Sequence, residues 1–475
     1  MKLVYGVKDK PKAGQIVLFA LQQLLAILAA TIAVPAIVGH GMSQSAALFG
    51  AGVGTLVYQL FTKFRSPVFL GSSFAFLGSM AAAFAGGVSA AKGFAGLLLG
   101  AVFAGLVYVV IAIIVKLAGV KWISKLMPAV VIGPTVAIIG MSLAGNAIGD
   151  LTKGNVTHDV VSKALNETGD AIIEEITQVQ NASPYLCLIC GLVTLFVVVI
   201  CSVYGKKMAK MIPFIIGIVA GYIVAAILTV IGNATGTAEL QIINFALFND
   251  MKWLPDFTFL KAFEGFGSLD AEYILTIAVA YVPVAFVVFA EHLADHKNIS
   301  SIIESDLLED PGLHRTLLGD GVGSIAGAFF GGCPNTTYGE SIGCVAISGN
   351  ASVITITVTA FMAIAAAFVA PFTTFLATIP SCVMGGVCMT LYGFIAVSGL
   401  KMLQPVDLGE NRNLFTASVI LIAGIGGLTL SFGSVTITSV ACAIILGIIT
   451  NAALGCKDRK AAAATEEKAA EADEA

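Results

Sequence analysis

Long apolar runs alternate with short polar segments over most of the chain. The runs lie at residues 14–39, 45–61, 73–86, 93–116, 127–146, 184–203, 211–232, 272–296, 316–332, 338–349, 351–376, 380–400, 413–432 and 435–454. A helix that crosses a bilayer needs about 20 predominantly apolar residues. The pattern predicts an all-α polytopic membrane protein with fourteen spans, of which the third and tenth are unusually short.

Proline and glycine interrupt the chain at both short runs. Residues 66–76 lead into the third run, and residues 331–343 cover the start of the tenth and carry Glu340. Non-helical backbone at membrane depth is tolerated only where protein encloses it or where it lines a cavity. Interrupted segments at matching places in two halves of a chain point to the binding site of a transporter. The alternative for residues 331–343 is an ordinary loop outside the membrane.

The order of the runs indicates an internal repeat. Fourteen spans divide near residue 233 into two sets of seven, and the interrupted spans three and ten are seven apart. Because each set contains an odd number of spans, the second set enters the membrane in the opposite orientation. We therefore expect two inverted repeats.

Positive charge supports the span count and gives an orientation. With the N-terminus in the cytoplasm, 20 of the 25 Lys and Arg residues fall on the cytoplasmic side. The exceptions are Lys92, Lys153, Lys163, Lys252 and Lys261. Cytoplasmic loops of membrane proteins carry an excess of Lys and Arg. We therefore expect both termini in the cytoplasm and the long loops 147–183 and 233–271 outside.

Composition excludes several function classes. The chain of 475 residues is 57% hydrophobic and only 11% charged, too little charge for a soluble protein of this size. Its net charge of −4 comes without a basic patch, so we expect no nucleic-acid partner. The cysteines show no metal or disulfide spacing, and Cys187 and Cys190 are interpreted as small buried residues. We expect no cofactor, no metal and no enzyme activity, and a disordered acidic tail at residues 457–475.

The eighth run ends in a cluster of ionisable side chains. Glu291 and Asp295 share one helix face, while His292 and His296 share another about 100° around the axis. Ionisable groups inside a membrane are functional by default, because burying charge there is costly. Alternatively, Glu291 marks the point where the helix emerges into the cytoplasm. Residues 299–303 are apolar again, which favours a helix that continues past the cluster.

Glu291 and Glu340 would suit one kind of ligand if they faced a common cavity. A planar heterocycle with ring N–H donors and carbonyl acceptors needs carboxylates to accept and backbone N–H groups to donate. The broken segments offer such donors around Phe74 and Gly339. Desolvation favours the protonated form of a carboxyl group, which leads to the hypothesis that ligand binding is coupled to proton uptake.

Several strings in the sequence are similar to those of a known family. They are LQQLLAILAATIAVP at 21–35, LGSSFAF at 70–76, AEH at 290–292, DPGLHR at 310–315, PNTTYGE at 334–340 and LYG at 391–393. The string NTTYGE is highly specific, whereas the glycine-rich strings alone would be weak. Over almost its whole length the chain resembles the nucleobase–ascorbate transporter family and, within it, the bacterial uracil permeases.

The resemblance implies a fold and a division into domains. It implies fourteen spans in two inverted seven-span repeats, with short antiparallel strands in spans 3 and 10. A core domain would comprise residues 1–126 (spans 1–4) and 272–378 (spans 8–11). A gate domain would comprise residues 127–271 (spans 5–7 and an outer loop) and 379–456 (spans 12–14). The two domains would provide alternating access, and the gate domains would form a homodimer.

The resemblance also implies the roles of individual residues. Glu291 and Glu340 match the family's substrate-binding carboxylates, and Phe74 and Gly339 match positions that donate backbone N–H groups to the substrate. These residues would therefore form the centre of the binding site.

Four further positions complete the implied site. Tyr338 would line the pocket, with a structural hydrogen bond as the alternative, and Tyr392 matches a gate-domain aromatic near the substrate. Uracil permeases often have a histidine four residues after the first glutamate. Here that position is Asp295, with His296 beside it. Proton coupling would thus involve Glu291 with one of these two, and Asp295 is favoured.

The implied function is proton-coupled uptake of uracil across the cell membrane. Purine- and urate-transporting relatives usually have Gln where Glu340 stands, so this glutamate favours uracil. The family signature favours Asn at the next position, and Ser341 there keeps a xanthine, guanine or urate permease open. An anion exchanger or channel of the same architecture is a third hypothesis. The expected partners are a nucleobase, protons and the lipid bilayer.

Overall fold

The computed structural model describes residues 3–119, 122, 127–165, 172–206, 208–432 and 435–455. The α-helices are α1 (Ala13–Val38), α2 (Gln44–Phe61), α3 (Leu77–Ala83), α4 (Ala90–Ala118), α5 (Ala129–Ser142), α6 (Ala144–Asp150), α7 (Pro184–Tyr204), α8 (Met208–Met211), α9 (Pro213–Thr235), α10 (Thr258–Gly265), α11 (Ala271–Ile303), α12 (Leu313–Gly331), α13 (Gly339–Ser348), α14 (Val353–Ala366), α15 (Ala370–Thr378), α16 (Ser381–Met402), α17 (Asn411–Ile425) and α18 (Ser439–Gly455). The strands are β1 (Leu70–Ser72), β2 (Thr157–Leu165), β3 (Ile172–Gln180), β4 (Asn335–Thr337), β5 (Leu430–Phe432) and β6 (Val435–Ile437). The tail predicted at residues 457–475 lies outside the described residues.

Seven of the described helical segments are long and apolar enough to cross a bilayer. They are α1, α4, the segment Ala129–Asp150 that joins α5 and α6, α7, α9, α11 and α16. Helices α14 and α15 meet at 83° and make an eighth if they form one broken span. The chain is therefore a multi-pass membrane protein, as predicted. The count of fourteen spans stays a prediction, because short or broken spans contain helices with fewer than about 20 residues, the length of a simple membrane-spanning helix.

Helix α11 extends well past its polar cluster. It begins after Asp270, whose carboxylate accepts from the Tyr273 N–H at 2.8 Å and from Lys92 Nζ at 2.6 Å. The hydrogen bond from Lys92 and that from the Tyr273 N–H hold the pKa of Asp270 below its ordinary value. The helix runs on to Ile303, twelve residues beyond Glu291. Glu291 therefore does not mark the end of the helix.

Two β-hairpins lie outside the interrupted runs, where the sequence analysis predicted no strand. In the outer loop, β2 pairs antiparallel with β3, from Thr157 opposite Gln180 to Leu165 opposite Ile172. Near the C-terminus, β5 pairs with β6. The loop 147–183 was expected only to lie outside the membrane, but it is also rich in Val, Ile and Thr, which favour strands.

Glycines bring α12 into close contact with α2. A Cβ on Gly50 would lie 2.4 Å from the Gly327 carbonyl oxygen, and one on Gly54 would lie 2.5 Å from Asn335 Nδ2. Asn335 Nδ2 also donates to the Gly50 carbonyl at 3.1 Å. Small residues allow such backbone approach between membrane helices, where apolar burial alone gives little drive to associate. Strand β4 is thereby fixed against α2.

The remaining long helices pack mostly with one another. Helix α16 packs on α5 and α7, α9 packs on α7, and α17 packs on α5. A Cβ on Gly386 would lie 2.2 Å from the Gly191 carbonyl oxygen, so α16 and α7 also meet at glycines. Contacts of α1 with α9 and α16, and of α11 with α5, join this set to the helices around α12.

Candidate functional site

Strands β1 and β4 lie at the centre of the site, and the pair is called the strand crossing. They pair antiparallel, with Leu70 opposite Thr337 and Ser72 opposite Asn335. Each strand leads directly into a short helical segment: Phe74–Phe76 with α3 after β1, and α13 after β4. The first N–H groups of a helix have no partner within the helix and form its positive end. Two such ends therefore start at the strand crossing.

Tyr338 is fixed where β4 becomes α13. Its hydroxyl donates to the Ser72 carbonyl at 2.7 Å, and its N–H donates to the Phe69 carbonyl at 3.2 Å. Its ring lies over Gly71, where a Cβ would come within 2.4 Å of ring carbons. Tyr338 also lines the cavity described next. It thus has both the structural bond and the lining position that the sequence left open.

A cavity of about 480 Å³ lies beside the strand crossing. Among the residues that line it are Phe74, Glu291, Asp295, Tyr338, Gly339 and Glu340. Side chains of α5, α9 and α16 also line it, as does Lys210 of α8. The structure therefore brings both predicted glutamates, the two broken segments and Asp295 to one cavity.

Helix α13 presents a glycine surface to this cavity. Gly339 and Gly343 are four residues apart, line the cavity, and have no atom within 4 Å of the place where a Cβ would stand. This open strip runs beside Glu340. It leaves room for a flat ligand to approach the backbone at the start of α13.

Asp295 is held by a residue of the strand crossing. Thr337 Oγ1 donates to Asp295 Oδ2 at 2.7 Å. The bond connects the cavity face of α11 with β4, the strand that precedes Glu340.

Tyr392 is not among the lining residues, although it was predicted in the substrate site. It is buried in α16, next to Leu391, which does line the cavity. Its ring contacts that of Phe74 edge to face, with ring centroids 5.7 Å apart and planes at 80°. Tyr392 therefore packs against the lining residue Phe74 and does not line the cavity itself.

His296 lies on a different face of α11 from the one that borders the cavity. Its Nδ1 is 2.8 Å from the His292 carbonyl oxygen, which can only accept, so Nδ1 carries the proton. Its Nε2 is 2.7 Å from the Tyr58 hydroxyl, which in turn lies 2.7 Å from Ser66 Oγ. His296 is fully buried and does not line the cavity.

His292 forms a second buried pair on the same face. Its Nδ1 lies 2.7 Å from Asp320 Oδ2, and its Nε2 lies 3.0 Å from Thr316 Oγ1. The Thr316 hydroxyl donates to the Leu313 carbonyl at 3.0 Å, so its oxygen accepts from His292 Nε2. The contact between Nδ1 and Asp320 then needs one proton, carried by either His292 or Asp320.

Ser341 faces away from the cavity. Its hydroxyl oxygen accepts from the Phe69 N–H at 3.1 Å and from Gln23 Nε2 at 2.5 Å. The residue is fully buried between α1 and the segment leading to β1. Ser341 thus ties α13 to its neighbours.

A sequence model described as the Permease family matches residues 14–433. The chain belongs to this permease family. The match confirms the resemblance seen in the sequence.

Curated relatives cover nearly the whole permease. A uracil permease of Bacillus caldolyticus is 39% identical over 456 residues, which covers 95% of this chain and 94% of the relative. A uracil permease of Escherichia coli K12 is 34% identical, with 93% and 92% covered. A putative pyrimidine permease of the same strain, RutG, is 30% identical, with 94% and 90% covered. These relatives are permeases rather than enzymes.

Solved structures share the fold of the permease at low sequence identity. The transmembrane domain of the cyanobacterial bicarbonate transporter BicA matches with a TM-score of 0.58 at 16% identity, covering 94% of this chain and 99% of that one. The murine anion transporter Slc26a9 matches with a TM-score of 0.62 at 12% identity, covering 95% and 69%. At these identities the likeness concerns the fold alone.

Three residues in or near the permease site escaped the sequence analysis. Asp320 is an acidic residue inside the apolar run 316–332, which by itself marks it for a buried role. Thr337 stands inside the specific NTTYGE string but has no chemistry that would single it out. Lys210 directly precedes the run 211–232 and was counted only as a cytoplasmic charge.

The permease site offers carboxylates but no metal centre. Across the parts of the chain that the structure describes, no group of three or more His, Cys, Asp or Glu side chains could hold a metal ion. The arrangement can accept hydrogen bonds through its carboxylates and donate them through backbone N–H groups. That combination suits a neutral polar ring.

Proposed function

We propose that this permease takes up uracil together with protons across the cell membrane. The observation that carries the proposal is that Glu291, Glu340 and the start of α13 share one cavity of about 480 Å³. Uracil is flat and presents ring N–H donors and carbonyl acceptors on its edge. Carboxylates accept from the donors, and the N–H groups at Phe74 and Gly339 donate to the carbonyls.

The relatives support uracil as the substrate. Curated proteins named uracil permease match over 93% to 95% of the chain. Glu340 stands where purine-transporting relatives usually have Gln. The Ser341 hydroxyl, which kept a purine open, is engaged by Gln23 and the Phe69 N–H and does not line the cavity. The argument for xanthine, guanine or urate is correspondingly weaker.

An anion is a poor match to the same cavity. Among the residues that the structure describes, Glu291, Asp295 and Glu340 line it, and Lys210 is the single lining cation. Like charges close together in a poorly solvated site repel strongly. The shared fold with two anion transporters therefore does not extend to their substrates in this proposal.

Proton coupling is assigned to the cavity face of α11. Glu291 and Asp295 both border the space for the substrate, whereas His296 is engaged by Tyr58 and the His292 carbonyl. A carboxyl group in such a site gains or loses a proton as water and substrate exchange. Asp295, rather than His296, is the partner of Glu291 in this step.

Transport follows alternating access between a core domain (1–126 and 272–378) and a gate domain (127–271 and 379–456). The cavity supports this division, because elements of both domains line it: α11, α13 and the strand crossing from the core domain, and α5, α9 and α16 from the gate domain. In this proposal fourteen spans form two inverted repeats, both termini lie in the cytoplasm, and gate domains form a homodimer. The antiparallel pairing of β1 and β4 provides the strands of spans 3 and 10.

Uptake into proteoliposomes with an imposed proton gradient tests the proposal. The purified permease is expected to accumulate labelled uracil saturably, and unlabelled uracil should compete better than xanthine, guanine, urate or bicarbonate. Glu340→Gln should weaken uracil binding about 30-fold or more, because it replaces a charged carboxylate, which accepts hydrogen bonds from the ring N–H groups, with a neutral amide. Gradient-independent uptake, or stronger competition by a purine or by bicarbonate, would refute it.

A further inference from the structure

A hydrogen bond joins two separate elements of the site. Thr337 Oγ1 donates to Asp295 Oδ2 at 2.7 Å. Thr337 is the last residue of β4 and only 1% exposed, and Asp295 lies on the cavity face of α11. The bond therefore links the helix that carries Glu291 to the strand that leads into the helix carrying Glu340.

We propose that Thr337 is a positioning residue for proton-coupled transport, whose hydroxyl holds the Asp295 carboxyl at the cavity wall. This inference rests on the proposed function of the site. The hydroxyl acts through Asp295, so its removal should change how transport depends on pH as well as how well the substrate binds.

Strand formation alone does not account for the hydroxyl. The pairing of β4 with β1 uses backbone groups, with Thr337 opposite Leu70. A β-branched Val has the same shape and suits a strand equally well. What Thr adds over Val here is the bond to Asp295.

The surroundings of Asp295 explain why it needs an anchor. The ionisable groups around it are Glu291 on its own helix, Glu340 on α13, Asp320 on α12, Tyr58 on α2 and Tyr108 on α4. Lys210 lines the same cavity. Several of these are carboxyl groups that repel one another when ionised. An Asp side chain free to rotate would turn away from them, and the Thr337 hydroxyl keeps it beside the substrate.

Thr337→Val and Thr337→Ser separate the hydroxyl from the side-chain shape. In proteoliposomes, Thr337→Val should raise the KM for uracil about tenfold, while Thr337→Ser should stay within about twofold of wild type. A donated hydrogen bond favours the carboxylate over the acid. Without the Thr337 hydroxyl, the Asp295 carboxyl stays protonated to a higher pH. The pH at which uptake declines should therefore move upward in Thr337→Val but not in Thr337→Ser.

Thr336→Val is the matched control. Thr336 is the neighbouring residue of β4, pairs with Gly71 and also lines the cavity. Its replacement should leave the pH profile of uptake where it is in wild type. An equal shift in Thr336→Val would assign the effect to the strand and overturn the role of Thr337.

A double-mutant cycle with Asp295→Asn tests whether Thr337 acts through Asp295. If it does, Thr337→Val should add little to Asp295→Asn, both in KM and in the melting temperature of the purified protein. Additive effects in the cycle, a normal pH profile in Thr337→Val, or failure of Thr337→Ser to restore it would each overturn the inference.

The melting-temperature cycle needs no substrate. A wild-type protein that carries no uracil would refute the proposed function, while the coupling between Thr337 and Asp295 would still decide the present inference. The two failures are thus distinguishable.

Discussion

The two polar faces of α11 hold their ionisable groups in opposite surroundings. On one face, Glu291 and Asp295 border a cavity of about 480 Å³. On the other, His292 and His296 are 1% and 0% exposed, and both nitrogens of each ring have a hydrogen-bond partner. Both pairs of residues lie within the same six residues of α11, 291–296.

The difference shows that an ionisable group inside a membrane is not by itself a binding site. Buried polar groups whose partners are all within the protein contribute to stability and to a single arrangement of the helices. Groups that border a cavity can still form hydrogen bonds with a ligand. We therefore expect changes on the histidine face to lower stability, and changes on the cavity face to lower transport.

Asp320→Ala should give the largest loss of stability. It removes the partner 2.7 Å from His292 Nδ1 and leaves that buried ring unsatisfied. Breaking a buried pair in this way costs about 3–5 kcal/mol of the free energy of unfolding. Denaturant titration of the protein in detergent micelles measures the change.

Glu264→Ala is the control for this substitution. Glu264 is an exposed residue of α10, and its loss should change the free energy of unfolding by less than about 0.5 kcal/mol. If Asp320→Ala were as stable as Glu264→Ala, the histidine face would not be the structural one.

Glu291→Gln should affect transport instead. It keeps the shape of the side chain but removes the carboxylate from the cavity, so uracil uptake should fall at least about 30-fold. The free energy of unfolding should stay within about 0.5 kcal/mol of wild type. Uptake by Glu304→Gln, an exposed residue just after the same helix, should be unchanged. Normal uptake in Glu291→Gln, or instability like that of Asp320→Ala, would remove the contrast between the faces.

Spacing along the sequence was enough to predict which α11 residues share a face. Glu291 and Asp295 are four apart, as are His292 and His296, and helical geometry fixes the rest. The interrupted segment at Glu340 was likewise visible, because clustered proline and glycine indicate non-helical backbone, which at membrane depth must be enclosed by protein or line a cavity. These local rules gave the acidic residues and the broken segments that line the cavity, but not the side chains contributed by the other helices.

The partners of these groups could not be predicted, because they come from distant parts of the chain. His296 meets Tyr58 across 238 residues, and Asp295 meets Thr337 across 42. Such contacts depend on how α2, α11 and the strand crossing pack, which no local pattern encodes. For this reason the sequence left the choice between Asp295 and His296 open.

His296→Phe should give the smallest change in transport and tests that choice directly. Phe keeps the stacking on His292, whose ring centroid lies 3.9 Å away, but loses the bonds to the His292 carbonyl and to Tyr58. The loss should be about 1–3 kcal/mol, less than for Asp320→Ala, because the Tyr58 hydroxyl keeps Ser66 at 2.7 Å. Tyr58→Phe, which removes the same hydrogen bond from the other side, should destabilise to a similar extent. The KM for uracil should stay within about twofold and the pH profile of uptake should not move, since neither ring nitrogen reaches the cavity. A pH profile that shifted in His296→Phe, with the protein still folded, would make this histidine part of the proton path and would end the separation of the two faces.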